Sequence, residues 1–184
     1  MTDIISVPAG RRRAPTDDCR QIFPADRQLV TCVELLFFAY RDFTGEADAV
    51  LAEFGLGRAH HRVLHFVNRN PGLKVQDLLD ILKITKQSLA RVLKLLVDQG
   101  WIRQVAGNED RRQRLLHTTE KGAALAGRLD ALQERRIGQA LATAGAGSEA
   151  AVLSFLFAMI VPAERAFVEA LLPAPITATA RSAG

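Results

Sequence analysis

Only two cysteines, Cys19 and Cys32, stand in the 184-residue chain, too few for a disulfide framework and in keeping with a reducing cytoplasm. Long apolar runs are missing as well. The longest, LVTCVELLFFAY at residues 29–40, is broken by Glu34 and falls well short of the roughly 20 residues that span a bilayer, so no membrane partner is expected. Arg11, Arg12 and Arg13 are followed by Asp17 and Asp18 rather than by an apolar segment, which argues against a secretory signal. Aromatic residues make up only 6%, leaving Leu, Val, Ile and Ala to build the interior. There is no Ser-His-Asp or Cys-His arrangement in a supporting context, no glycine-rich phosphate loop and no metal-ligand motif. Neither enzymatic chemistry, nor a cofactor, nor a metal is therefore expected.

What is present is a local excess of positive charge. The net charge is +4, and its distribution says more than its size. Residues 83–116 carry eight basic side chains (Lys83, Lys86, Arg91, Lys94, Arg103, Arg111, Arg112, Arg114) against Asp98, Glu109 and Asp110, a local charge of +5 that leaves the rest at −1. Such a concentration is the footprint of a phosphate-backbone binder, although a merely solvated surface has the same composition.

Between a tail at residues 1–24 and another at 173–184, both without periodicity, the pattern is mainly helical. A helical region at 26–54, with a bend expected near Thr44 and Gly45, is apolar nearly all round in its first half. A helix of that kind must be covered on more than one side. A second helix at 58–68 stops at Asn70, Pro71 and Gly72. In VQDLLDIL, Val75, Leu78, Leu79 and Leu82 form one stripe, and after a three-residue turn Leu89, Val92, Leu93 and Leu96 repeat that spacing. This is a helix-turn-helix arrangement. Thr85 is placed to cap the second helix through the amide of Gln87 or Ser88, and Gly100 to close it.

With the leucines turned inward, Lys86, Gln87, Ser88, Arg91 and Lys94 face outward. Gln suits adenine, Arg suits guanine, Ser accepts either, and lysines suit phosphates. WIRQV, a turn, and RRQRLLH then read as a β-hairpin beside that helix. Its tip and returning edge carry Arg111, Arg112 and Arg114, and such a loop can reach a neighbouring minor groove. Asp110, two residues before Arg112, is placed to hold that guanidinium extended. Thr119 caps a long helix at 120–142, and Ser148 and Glu149 open a last one that Pro162 is expected to kink.

The order of elements, with Asp110-x-Arg112, Leu116 and Thr119-Glu120-Lys121-Gly122, resembles the multiple-antibiotic-resistance regulator (MarR) family over residues 25–172. Thr118 and Lys74 depart from the family pattern, Lys74 standing where a Ser or Thr cap is usual. The resemblance implies a mainly α fold with a small β-hairpin wing, a winged helix-turn-helix at 58–119, and dimerisation helices at 25–57 and 120–172 interleaving with those of a second copy. It also implies double-stranded DNA as partner, a recognition helix beginning with Thr85 to Arg91, and Arg112 in the minor groove, oriented by Asp110. A homodimer would meet a pseudo-palindromic operator with half-sites about one helical turn apart.

His60, His61 and His65 share one short helix. His61 and His65 have the spacing of a metal clamp, but no further ligand completes it; by the resemblance the three line a pocket for a small-molecule effector. Cys32 reads as a buried apolar filler, with redox sensing the alternative. An adaptor that had lost DNA binding would show an eroded basic face, and this chain keeps its basic face.

Overall fold

The computed structural model describes residues 25–107 and 113–173. The chain divides into two compact units, Met1–Arg41 and Asp42–Gly184. In order, the elements are α1 (Ala25–Ala52), α2 (Arg58–Arg69), β1 (Leu73–Lys74), α3 (Val75–Leu82), α4 (Lys86–Asp98), β2 (Ile102–Ala106), β3 (Arg114–Thr118), α5 (Glu120–Ala144), α6 (Ser148–Ala158) and α7 (Arg165–Leu171), with a 3-10 turn at Pro162–Glu164 before α7.

The described part of the first unit is the amino-terminal stretch of α1. Thr31 bonds back to the Arg27 carbonyl at 2.8 Å, and the Arg41 guanidinium lies over the Phe38 ring at 5.1 Å. Its large apolar side chains are exposed, Phe37 by 69%. Cys32 is exposed too, which corrects the expectation of a buried filler. It lies on a stretch whose apolar neighbours are also solvent-facing, so within a single copy there is no interior there for a thiol to fill.

The second unit has a continuous core. Leu51 of α1, Val63, Leu64 and Val67 of α2, Leu78 of α3, Leu89 and Leu96 of α4, Ile102, Leu116 and Leu129 are all fully buried or nearly so. Burial of each leucine is worth about 2 kcal/mol. Phe54 packs edge-on against Trp101 with ring centres 5.2 Å apart. Helix α1 is continuous through Thr44 and Gly45 to Ala52. A helical glycine costs about 1 kcal/mol, less than the burial of Ala47, Val50 and Leu51 beyond it returns.

The sheet has the order β1-β3-β2, with all pairs antiparallel. Ile102 pairs with Thr118 and Ala106 with Arg114, so the hairpin expected from the sequence forms. Gly107 N–H donates to the Gln113 carbonyl at 3.0 Å and carries the pairing one step further. The two-residue strand β1, Leu73 against Leu116 and Lys74 against Leu115, was not legible in the sequence. Its pairing comes from a remote strand rather than from local propensity.

The Thr-Glu-Lys-Gly stretch fastens α5 to this sheet. Thr119 Oγ1 accepts the Gly122 N–H at 3.1 Å and donates to the Gly100 carbonyl at 2.7 Å. A Cβ on Gly122 would lie 2.0 Å from the Trp101 carbonyl oxygen, so only glycine lets the helix sit that close. Further along α5, Arg135 and Arg136 both meet Glu46 of α1. The Arg136 hydrogen bond, against an opposing contribution from burial, holds the Glu46 carboxyl below its usual range. Pro162 does not kink a continuous helix. Instead α6 stops at Ala158 and Pro162 opens the 3-10 turn, a first-turn position where its missing N–H costs nothing.

Candidate nucleic-acid interface

The helix α4 is built from its cap outward. The Thr85 backbone is extended, and its Oγ1 accepts the Ser88 N–H at 3.2 Å while donating to Ser88 Oγ at 2.9 Å. Both hydroxyls are thus engaged at the start of the helix, which leaves the Ser88 O–H still able to donate outward. The turn before them ends α3 on Lys83, the one described residue other than glycine in the left-handed region, at φ 51°. At the other end Gly100 adopts φ 72° and closes α4.

Burial of Leu89, Leu93 and Leu96 fixes the rotation of α4. Lys86, Gln87, Ser88 and Arg91 are therefore exposed along its first two turns. Lys94 is exposed as well, but it is paired with Asp98 one turn on. That pair is open to solvent and worth well under about 1 kcal/mol, so a stronger anion can take Lys94 from it. Beside the helix, Arg103 on β2 and Arg114 on β3 are exposed. Among the described residues, Lys86, Arg91, Arg103 and Arg114 make no ion pair with a carboxylate. Asp110, Arg111 and Arg112, the expected wing tip and its orienting acid, lie outside the described residues.

The three histidines of α2 have separate environments. The His60 Nδ1 accepts the Gly57 N–H at 3.0 Å and so caps its own helix. Burial pushes its imidazole below the ordinary value, in keeping with a ring nitrogen that must stay unprotonated to accept. His61 is also lowered, first by burial and then by His65, with Asp130 and Asp48 opposing. His65 Nδ1–H donates to Asp130 of α5 at 2.9 Å. His65 lines a cavity of about 300 Å³ together with Phe66, Arg69, Ile81, Phe167 and Leu171. Among the described residues no group of three or more His, Cys, Asp or Glu is placed to hold a metal.

Sequence reasoning missed the residues that couple α4, the sheet and α5. Lys121 lies 3.7 Å above the Trp101 ring and donates to the Gln99 carbonyl at 3.1 Å, while Trp101 Nε1–H donates to Gln99 Oε1 at 2.8 Å. Lys74 stands where a hydroxyl cap is usual. Its own backbone N–H is accepted by Asp77 at 3.3 Å, which does half of that task from the other side.

A capped, leucine-backed helix following a three-residue turn, with a basic hairpin next to it, defines a winged helix-turn-helix. The sequence profile of the MarR family matches residues 54–113. The HTH-type transcriptional regulator PetP of Rhodobacter capsulatus is 46% identical over 144 residues, which cover 78% of this chain and 87% of that protein. Among solved structures, a mutant MarR from Escherichia coli complexed with operator DNA has a similar fold, with a TM-score of 0.56 at 21% identity, over 76% of this chain and 100% of that one. The Mycobacterium tuberculosis MarR family protein Rv2887, in complex with p-aminosalicylic acid, is 25% identical with a TM-score of 0.50, over 67% of this chain and 93% of that one. The chain belongs to the MarR family of helix-turn-helix transcriptional regulators. Members of this family are DNA-binding regulators and not enzymes. Among the described residues, no single helix is long and apolar enough to cross a membrane.

Proposed function

We propose that this regulator works in the cytoplasm as a homodimer on a pseudo-palindromic operator, each copy setting α4 into the major groove and its hairpin into the adjacent minor groove. The observation that carries this reading is the row of outward-facing Lys86, Gln87 and Arg91, with Arg103 and Arg114 beside it, on a helix whose other face is locked into the core. Gln87 and Arg91 read base edges; Lys86, Lys94 and Arg114 hold phosphates. Thr85 and Ser88 fix the start of the helix and add one outward hydroxyl. Arg112 enters the minor groove, oriented by Asp110, and Arg111 neutralises backbone charge.

The dimer is supported by apolar surface that one copy leaves open: Leu29, Phe37 and Phe38 on the first unit, and Phe155, Leu156 and Met159 on α6 or at its end. Two recognition helices fixed by a two-fold axis fit half-sites about one helical turn apart. A small-molecule effector is accommodated beside His65, where the cavity of about 300 Å³ has the volume of a small ligand site. His60 and His61, on the same helix α2, are the further expected effector residues. The p-aminosalicylic acid complex of the Mycobacterium tuberculosis relative supports such a ligand. Filling the site alters the spacing of the recognition helices, which both half-sites require.

Binding of the chain to its own upstream DNA at two salt concentrations tests the reading. A regulator loses affinity steeply with salt yet keeps a preference for the operator over scrambled duplex. Weak binding with neither salt dependence nor sequence preference overturns it.

A further inference from the structure

A second cleft, about 360 Å³ in volume, opens next to the recognition helix and is lined by Lys74, Val75, Gln76, Leu79, Lys86, Gln113 and Arg114. Its position follows from the sheet. Strand β1 stops at Lys74, opposite Leu115, whereas β3 runs on to Arg114. The edge of β3 beyond that point is uncovered, and the starts of α3 and α4 close the step.

Three cations from three different elements therefore border one cleft: Lys74 at the end of β1, Lys86 at the first position of α4, and Arg114 at the start of β3. Among the described residues none of the three has a carboxylate partner and no acid lines the cleft. The nearby acids of α3 are engaged elsewhere, Asp77 with the Lys74 backbone N–H at 3.3 Å and Asp80 with Gln76 Nε2 at 3.3 Å. Neighbouring like charges repel, and an anion between them turns that repulsion into attraction. Lysine and arginine ends over an apolar floor of Val75 and Leu79, with a glutamine amide at each side, fit a phosphate oxygen cluster better than a neutral ligand.

We infer that this cleft seats one phosphodiester of the DNA backbone, and that Lys74 is one of the cations that hold it. The inference rests on the DNA-binding reading above. It assigns a task to the lysine that stands where the family usually has a hydroxyl cap, and the cap is not lost with it, since Asp77 uses the backbone of Lys74.

The test is the anisotropy of a labelled duplex from the chain's own upstream region, titrated with full-length wild type, Lys74→Gln, Lys74→Arg and Arg91→Ala between about 50 and 200 mM salt. One phosphate contact accounts for roughly a three- to four-fold change in affinity over that range, and for about one unit of the salt slope. Lys74→Gln is expected to weaken operator and scrambled duplex alike, to flatten the slope by that amount and to leave their affinity ratio unchanged. Lys74→Arg is expected to restore the slope. Arg91→Ala is expected to lower the ratio. An unchanged slope in Lys74→Gln, with the Arg91→Ala effect present, overturns the clamp and leaves the DNA-binding reading intact. Absence of steep salt dependence in wild type itself overturns the reading on which the clamp stands. Isothermal titration with inorganic phosphate adds a third arm: saturable, Lys74-dependent uptake without DNA would assign the cleft to a free anion and overturn the clamp. Equal thermal melts of Lys74→Gln and wild type confirm that the fold is not what changed.

Discussion

Helices α4 and α6 are both rich in aliphatic residues, yet the chain treats them in opposite ways. In α4, Leu89 and Leu96 are exposed by 1% and 0%, and the polar residues between them face solvent. In α6, Phe155 and Leu156 are exposed by 55% and 50%, and no residue is buried. Periodicity makes the difference. The apolar residues of α4 fall on one stripe that its own copy covers, whereas those of α6 are spread around the helix, so that no single neighbour can cover them. One helix thus presents a charged face suited to a polyanion, and the other apolar surface all round that a single copy leaves open.

The largest expected effect breaks the contrast on the α6 side. Leu156→Asp should leave the second unit folded, convert a dimer to a monomer in light scattering, and lower operator affinity by more than about 100-fold, since the two half-sites are no longer engaged together. A dimeric Leu156→Asp protein with intact affinity would remove α6 from the interface. On the α4 side, Leu96→Ala should cost about 3 kcal/mol in denaturant unfolding. The same truncation at Leu156 should show only as a melting temperature that depends more strongly on protein concentration.

The junction between the sheet and α5 is the next point. Gly122→Ala must place a methyl group against the Trp101 carbonyl, and the shift this forces should cost about 2 kcal/mol at an unchanged denaturant slope. Thr85→Ala removes the acceptor of the Ser88 N–H and should cost about 1 kcal/mol. An effect on DNA binding larger than that stability loss would mean that Thr85 touches DNA directly.

Much of α4 was legible beforehand because its signals are local. The cap at Thr85, the leucine spacing and the closing Gly100 all act within a few residues. What escaped was set by distant parts of the chain. Strand β1 exists because Leu116 and Leu115 come alongside it, and Lys74 shares its cleft with Lys86 and Arg114, both remote in the sequence. That His60 accepts the Gly57 N–H also escaped, because imidazole spacing does not reveal which backbone N–H lies above a ring. Pro162 opens a 3-10 turn instead of kinking a helix, since α6 has already ended at Ala158.

The smallest expected effect concerns pH. The lowered value of His61 means that the unfolded chain takes up the proton first as pH falls. The stability associated with its neutral form is present above the ordinary value of 6.5 and is lost as pH drops from there toward the folded value. His61→Gln should therefore flatten the stability profile on the acidic side of that value and leave the alkaline side unchanged. A parallel shift of the whole profile would mean that the residue matters through packing alone.

Hydroxyl-radical footprinting of the chain on its own upstream DNA tests the central claim most directly. Two protected windows on one face of the duplex, centred about 10 base pairs apart, with the protection lost in Arg91→Ala, are the expected result. A single window, or protection that survives that substitution unchanged, would contradict a two-fold regulator reading DNA through α4.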